Sequence, residues 1–210
     1  IYNKDADITL TPKWSGDVST ETELKEALDA HLTFIRLIDD FKLSNTLNLS
    51  DKQITLDLNG HTLKGNIILA DTSAAPHSIL TLIDSDPNGR GVLDGNIELT
   101  RENYGTVSRL NANGGTVTGK VYMSSDDAII HCTSSTPTAF KGTVDGKGEI
   151  HGGIFYGGVK TSCIEEAAVA FKNDGKLYAV EVVKYGSKAV APVDPEKDGY
   201  LFAGWYNGST

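Results

Sequence analysis

The chain has 210 residues, of which 39% are apolar and 22% charged, and carries a formal net charge of −9. That balance supports a folded core and excludes a disordered chain. The acidity, with no run of lysine or arginine, excludes a surface for nucleic-acid phosphates. No apolar stretch reaches the ~18 residues a membrane span needs, and two cysteines give neither a disulfide framework nor a zinc site.

In chain order, the start at Ile1-Tyr2-Asn3-Lys4, without a signal peptide, reads as the cut edge of a longer protein. Ile8-Thr-Leu-Thr-Pro-Lys-Trp14 alternates as a strand does. Residues 20–31 predict a short helix: Thr20 is the N-cap, Glu23 completes a capping box, and Leu24, Ala27 and Leu28 mark one apolar face. Phe34 to Ile38 then opens a β-rich region.

That region repeats. Four octets align on a glycine: Thr62–Leu69 on Gly65, Val92–Leu99 on Gly95, Thr116–Met123 on Gly119 and Glu149–Tyr156 on Gly152. A turn rich in Asn, Asp and Gly precedes each octet, and a short strand precedes each turn, weakest before the last. Each unit therefore holds about three short strands. Such a unit cannot bury its apolar face alone, so the units are expected to stack as rungs ~4.8 Å apart around a shared core.

Three inward ladders follow: Leu63, Leu93, Val117 and Ile150; Ile67, Ile97, Val121 and Ile154; Leu69, Leu99, Met123 and Tyr156. The repeated glycine suits a corner at which φ turns positive. Ala167–Phe171 and Leu177–Val183, joined across Asn173-Asp-Gly175, predict a hairpin that closes the far end. The expected fold is all-β: a parallel β-solenoid with a short N-terminal capping helix, right-handed by the default of parallel crossovers. An antiparallel sandwich is the alternative. The expected divisions are 1–14, 15–183 for the solenoid with its cap helix, and 184–210.

Catalytic chemistry finds no support in the residues. Asp39-Asp40 and Asp126-Asp127 are adjacent acidic pairs at turns, and neighbouring residues in a strand point to opposite faces. Histidines 31, 61, 77, 131 and 151 are dispersed, with no base beside a serine. Asp84-x-Asp86-x-Asn88-Gly89 matches the opening of a calcium loop, yet Gly95 stands where a bidentate Glu belongs and Pro87 intrudes. Calcium is thus the one cofactor with a candidate site, and a polar turn explains the same residues. Tyr122 and Phe155, at equivalent outward positions of the aligned octets, would make a stacking platform for sugar rings unless a neighbouring segment covers them. Cys132 and Cys163 follow their anchor glycines by 13 and 11 residues, a spacing compatible with a disulfide between adjacent rungs.

Two resemblances add to this reading. Thr22 to Gly65, ending in Ile-Thr-Leu-Asp-Leu-Asn-Gly-His-Thr-Leu-Lys-Gly (Ile54–Gly65), resembles pectate-lyase-like β-helix domains of Firmicutes surface proteins. Val183 to Tyr206, with Gly-Tyr-Leu-Phe-Ala-Gly-Trp-Tyr at 199–206, is similar to the opening half of the Listeria–Bacteroides (internalin B-type) repeat. Asp5 to Trp14 is similar to that repeat's closing strand. The resemblances imply a Gram-positive, extracellular, cell-surface-attached setting. The function expected is a non-catalytic structural or adhesive module, monomeric, with a glycan or a host or cell-surface protein as partner. A carbohydrate-binding module is the alternative, and a polysaccharide lyase or hydrolase a third.

Overall fold

The computed structural model describes residues 16–71, 77–101 and 107–207. The strand expected at Ile8–Trp14 lies outside them.

Strand β1 (Asp17–Val18) is followed by helix α1 (Glu21–Asp29) and then by five rungs of three strands. The first rung is β2 (Phe34–Leu37), β3 (Phe41–Lys42) and β4 (Leu47–Asn48); the second is β5 (Gln53–Asp57), β6 (Thr62–Lys64) and β7 (Ile67–Asp71). The third is β8 (Ile79–Ile83), β9 (Val92–Asp94) and β10 (Ile97–Arg101). The fourth is β11 (Arg109–Ala112), β12 (Thr116–Val117) and β13 (Val121–Met123), and the fifth β14 (Ile129–His131), β15 (Ala139–Phe140) and β16 (Val144–Gly146). A sixth rung has β17 (Glu149–His151) and β18 (Gly153–Phe155), with single bridges from Val159 to Val144 and from Ile164 to Ile150 completing the stack.

Like strands of successive rungs pair in parallel. The first strands, with β1, make a seven-stranded sheet, the second strands an eight-stranded one and the third a five-stranded one. The eight-stranded sheet is finished by the hairpin β19 (Ala167–Asn173) and β20 (Lys176–Val183), and β20 runs antiparallel to β18. This is the expected parallel solenoid.

Period-two alternation decides which side chains enter the core. One column runs Ile54, Leu80, Leu110, Ile130, Ile150 across the first sheet. A second runs Phe41, Leu63, Leu93, Val117, Phe140, Phe155. A third runs Leu47, Ile67, Ile97, Val121, Val144. Apart from Phe41, which is partly buried, these residues are buried. Outside the core, Lys64 pairs with Asp94 in register and closes an ion pair of 3.0 Å. Asn96 N donates to Asn66 Oδ1 at 2.9 Å, as the glycine alignment of the first two octets predicts.

The fourth octet is misaligned. Glu149–Tyr156 does not continue the first three: Ile150 belongs to the first sheet, under Ile130. The true continuation is Phe140-Lys-Gly142-Thr-Val144, followed by Phe155-Tyr-Gly157-Gly-Val159. Gly152 is a different corner, with φ +118°.

The reason for the repeated glycine also differs. Of Gly65, Gly95, Gly119 and Gly142 only Gly65 has positive φ, +146°. At the others a Cβ would land on the carbonyl of the preceding glycine in the column, so this corner of the stack has no room for one.

Helix α1 covers the N-terminal end. Glu23 N donates to Thr20 Oγ1 at 3.2 Å, and the Glu23 carboxylate reaches back to Ser19 N and Oγ, both at 2.8 Å. Leu24, Ala27 and Leu28 join the solenoid core. Glu21 ties the helix to the turn before β4, accepting from Ser44 N at 2.9 Å and Ser44 Oγ at 2.6 Å. The chain enters the first sheet before this helix, through β1 beside β2, within a stretch that carries no strand signal in the sequence.

At the other end residues 184–207 form turns but no strand. Trp205 packs on Phe171, Tyr178 and Phe202 with ring centroids 5.1–5.6 Å apart, so this segment folds back on the hairpin. Tyr200 and Tyr206 stay exposed.

Candidate binding cleft at the junction of the last rung and the hairpin

The residues singled out in the sequence do not converge. Asp84 spends its carboxylate on the turns of two rungs: Oδ1 accepts from Gly60 N at 2.8 Å and Oδ2 from Gly91 N at 2.7 Å. Asp86 is held by Arg90, whose Nε donates at 2.8 Å and which keeps the carboxyl at about 2, well below its ordinary value. Asn88 only donates to Asp86, at 3.4 Å. The three residues build a turn, with the carboxylate oxygens of Asp84 and Asp86 directed at N–H groups.

Phe155 corrects the sugar platform. It is 1% exposed, stacked on Phe140 at 4.9 Å, and belongs to an inward column. Tyr122 is 40% exposed, on the outward face of another sheet, where its register partners are Glu98 and Asp145 and Lys120 Nζ lies 4.9 Å from its ring centroid. The error follows from the misaligned octet.

Cys132 and Cys163 are both free, which corrects the expected disulfide. Cys132 leaves β14 opposite Gly152, with Cys132 N donating to His151 O at 3.0 Å. Cys163 lies on a 3₁₀ turn against Gly146, at the end of β16, with Sγ 3.5 Å from Gly146 O. Their offsets match only if Gly152 is taken as the counterpart of Gly119, and it is not. Asp40 accepts from Thr62 N at 2.9 Å and approaches His61 Nδ1 at 3.2 Å, so with Asp39 it orders an exposed turn.

A cleft of about 590 Å³ lies elsewhere. Its walls are the end of β14 and residues 132–137, the β17–β18 corner at Gly152 and Gly153, the end of β20, and residues 184–190. The corner is close-packed and takes only glycine: a Cβ on Gly152 would meet the Cys132 Cβ at 2.8 Å, and one on Gly153 the Phe155 ring at 2.9 Å.

His131 and His151 are register partners there, with ring centroids 6.1 Å apart, edge to face. His151 stands between two carboxylates, Nε2 3.1 Å from Glu149 and Nδ1 3.6 Å from Glu166. Burial, Arg109 and His151 hold His131 below its ordinary value, so it favours the neutral imidazole. Burial pushes the Cys132 thiol up, the opposite of an activated nucleophile.

Glu181 is the unusual member. It is 4% exposed; Oε1 accepts from Val190 N at 2.9 Å, and Oε2 has no partner among the described residues. Burial raises its pKa. The site can therefore receive hydrogen-bond donors. Sequence reading passed over it because the histidines look dispersed. The signal present was Ile130-His131 recurring as Ile150-His151, one rung later.

Residues 168–210 match the family model of the Listeria-Bacteroides repeat domain. The match begins inside β19, upstream of the division expected at 184, and takes in both strands of the hairpin. No curated protein and no solved structure matches the chain.

Proposed function

We propose that the chain is a non-catalytic structural module of a secreted bacterial surface protein, a solenoid spacer joined to a Listeria-Bacteroides repeat segment through a shared strand. One observation carries this reading. Strand β20, within the matched segment, pairs with β18 of the last rung through Gly153–Val182, Ile154–Glu181 and Phe155–Val180, and on its other side with β19. Backbone hydrogen bonds thus run from the solenoid into the repeat-matching segment without a linker, a joint suited to transmitting position or load.

The matched repeat occurs in surface-associated bacterial proteins, which supports an extracellular site of action. Against a carbohydrate platform at Tyr122 and Phe155 stands the burial of Phe155. The use of Asp84 and Asp86 within their turn weighs against calcium-dependent lyase chemistry there.

Two measurements test the proposal. Protease shaving of intact source cells should release peptides of this chain, and their absence alongside recovered surface markers would contradict the surface placement. Incubation with polygalacturonate and other acidic polysaccharides, with and without calcium, should leave viscosity and reducing ends unchanged. Cleavage above a Leu93→Ala control would contradict the non-catalytic reading.

A further inference from the structure

The cleft beside the hairpin has a feature that a spacer does not need. A carboxyl group is buried in its wall with one oxygen unpartnered, an arrangement that costs free energy unless a donor or a cation completes it. We propose that this cleft binds a small molecule through a primary ammonium group seated against Glu181. The inference goes beyond the spacer reading and does not depend on it.

The chemistry of the lining selects this class. The unpartnered oxygen calls for a hydrogen-bond donor, and among the described residues no cation is paired with Glu181. A neutral hydroxyl would supply one hydrogen bond and leave the charge uncompensated, whereas an ammonium supplies three donors and the opposite charge. Ser134, Ser187 and a second carboxylate, Glu166, line the same cleft and add acceptors to it.

A bare metal ion fits less well. Among the described residues the trio that brings ligand atoms together is Asp39, Asp40 and His61, on a different turn. His131, His151 and Cys132 of the cleft form no such group with the carboxylates. The volume, about 590 Å³, lies in the range of small-molecule pockets. Lys184 and Lys188, exposed in the cleft lining, disfavour a polycation and leave room for one positive charge next to a neutral or acidic body.

An amino sugar and a lysine side chain share this chemistry. The full chain is titrated by two-dimensional NMR with glucosamine and, separately, with lysine acetylated on its α-amino group, following the amides of Val182, Lys184 and Val190. Glucose and N-acetylglucosamine are the neutral controls. Saturable shifts with at least one ammonium probe are expected, weakened at least about tenfold in Glu181→Gln and unchanged in the distant Glu98→Gln. Whichever ammonium probe binds more tightly identifies the source.

Because Gln is isosteric and relieves a buried charge, Glu181→Gln should melt no lower than the parent, which separates loss of binding from loss of fold. The proposal is overturned if neither ammonium probe saturates, if glucose or N-acetylglucosamine binds as well, or if Glu181→Gln binds undiminished.

Discussion

The side chains with the largest expected energetic effect are those of the inward columns. Leu93→Ala should cost roughly 2–5 kcal/mol, because it empties a central rung between Leu63 and Val117 that neither neighbour can fill. Phe155→Ala should cost about 3–5 kcal/mol, while Tyr122→Ala, outward and 40% exposed, should cost below about 1 kcal/mol. Denaturant melts of this pair check the register directly, since the misaligned octet makes the two residues equivalent. Gly95→Ala should destabilise by about 1–3 kcal/mol or more by overpacking against Gly65, despite the ordinary φ of Gly95. The thiols give a chemical readout: under non-reducing conditions two free thiols should titrate, Cys132 in the folded state and the buried Cys163 only after unfolding. A single disulfide-linked species would contradict the placement of both.

At the scale of elements, α1 and the hairpin β19–β20 close the two ends by different means. The helix is fixed by its cap and by Glu21, whose carboxyl Lys25 and Ser44 hold at about 2 against an ordinary 4.5. A depressed carboxylate pKa stabilises the folded state above the unfolded pKa, and that stabilisation is lost as pH falls through the folded value. Thermal melts should therefore show the parent losing its advantage over Glu21→Gln between about pH 4.5 and pH 2; a constant gap would assign Glu21 no such role. Thr20→Ala should cost about 0.5–2 kcal/mol, from the lost bond to Glu23 N. Glu181 behaves with the opposite sign. Its raised pKa means that ionisation disfavours the fold as pH rises from the unfolded value, so Glu181→Gln should raise the neutral-pH melting temperature and leave the acid one unchanged.

For the whole molecule, the sequence conveys the architecture better than the phase of its later rungs. The octets on Gly65, Gly95 and Gly119 are legible because the chain returns to the same corner after 30 and then 24 residues with the same apolar pattern. Beyond Gly119 the rungs shorten and glycines multiply, so Gly152, a corner of the first sheet, mimics Gly142. Phe-x-Gly-x-Val at 140–144 and again at 155–159 was the better guide, since volume at the Phe position must fill the column that Val117 occupies above it. The cleft was illegible for a related reason: it depends on which rung lies under which, and on β20 turning back along β18, neither of which periodicity reports. Strand β1 is two residues long, too short for any periodic signal.

The shared strand is the claim on which the account of the molecule rests, and native-state hydrogen exchange tests it most directly. If β20 is spliced onto the last rung, the amides of β20 that face β18 should exchange as slowly as those of Val117 and Phe140 and open together with them, as neighbouring repeats of one stack do. Amides of β20 exchanging fast, with the rungs of β12 and β15 still protected, would show a hairpin that folds apart from the solenoid and would contradict it.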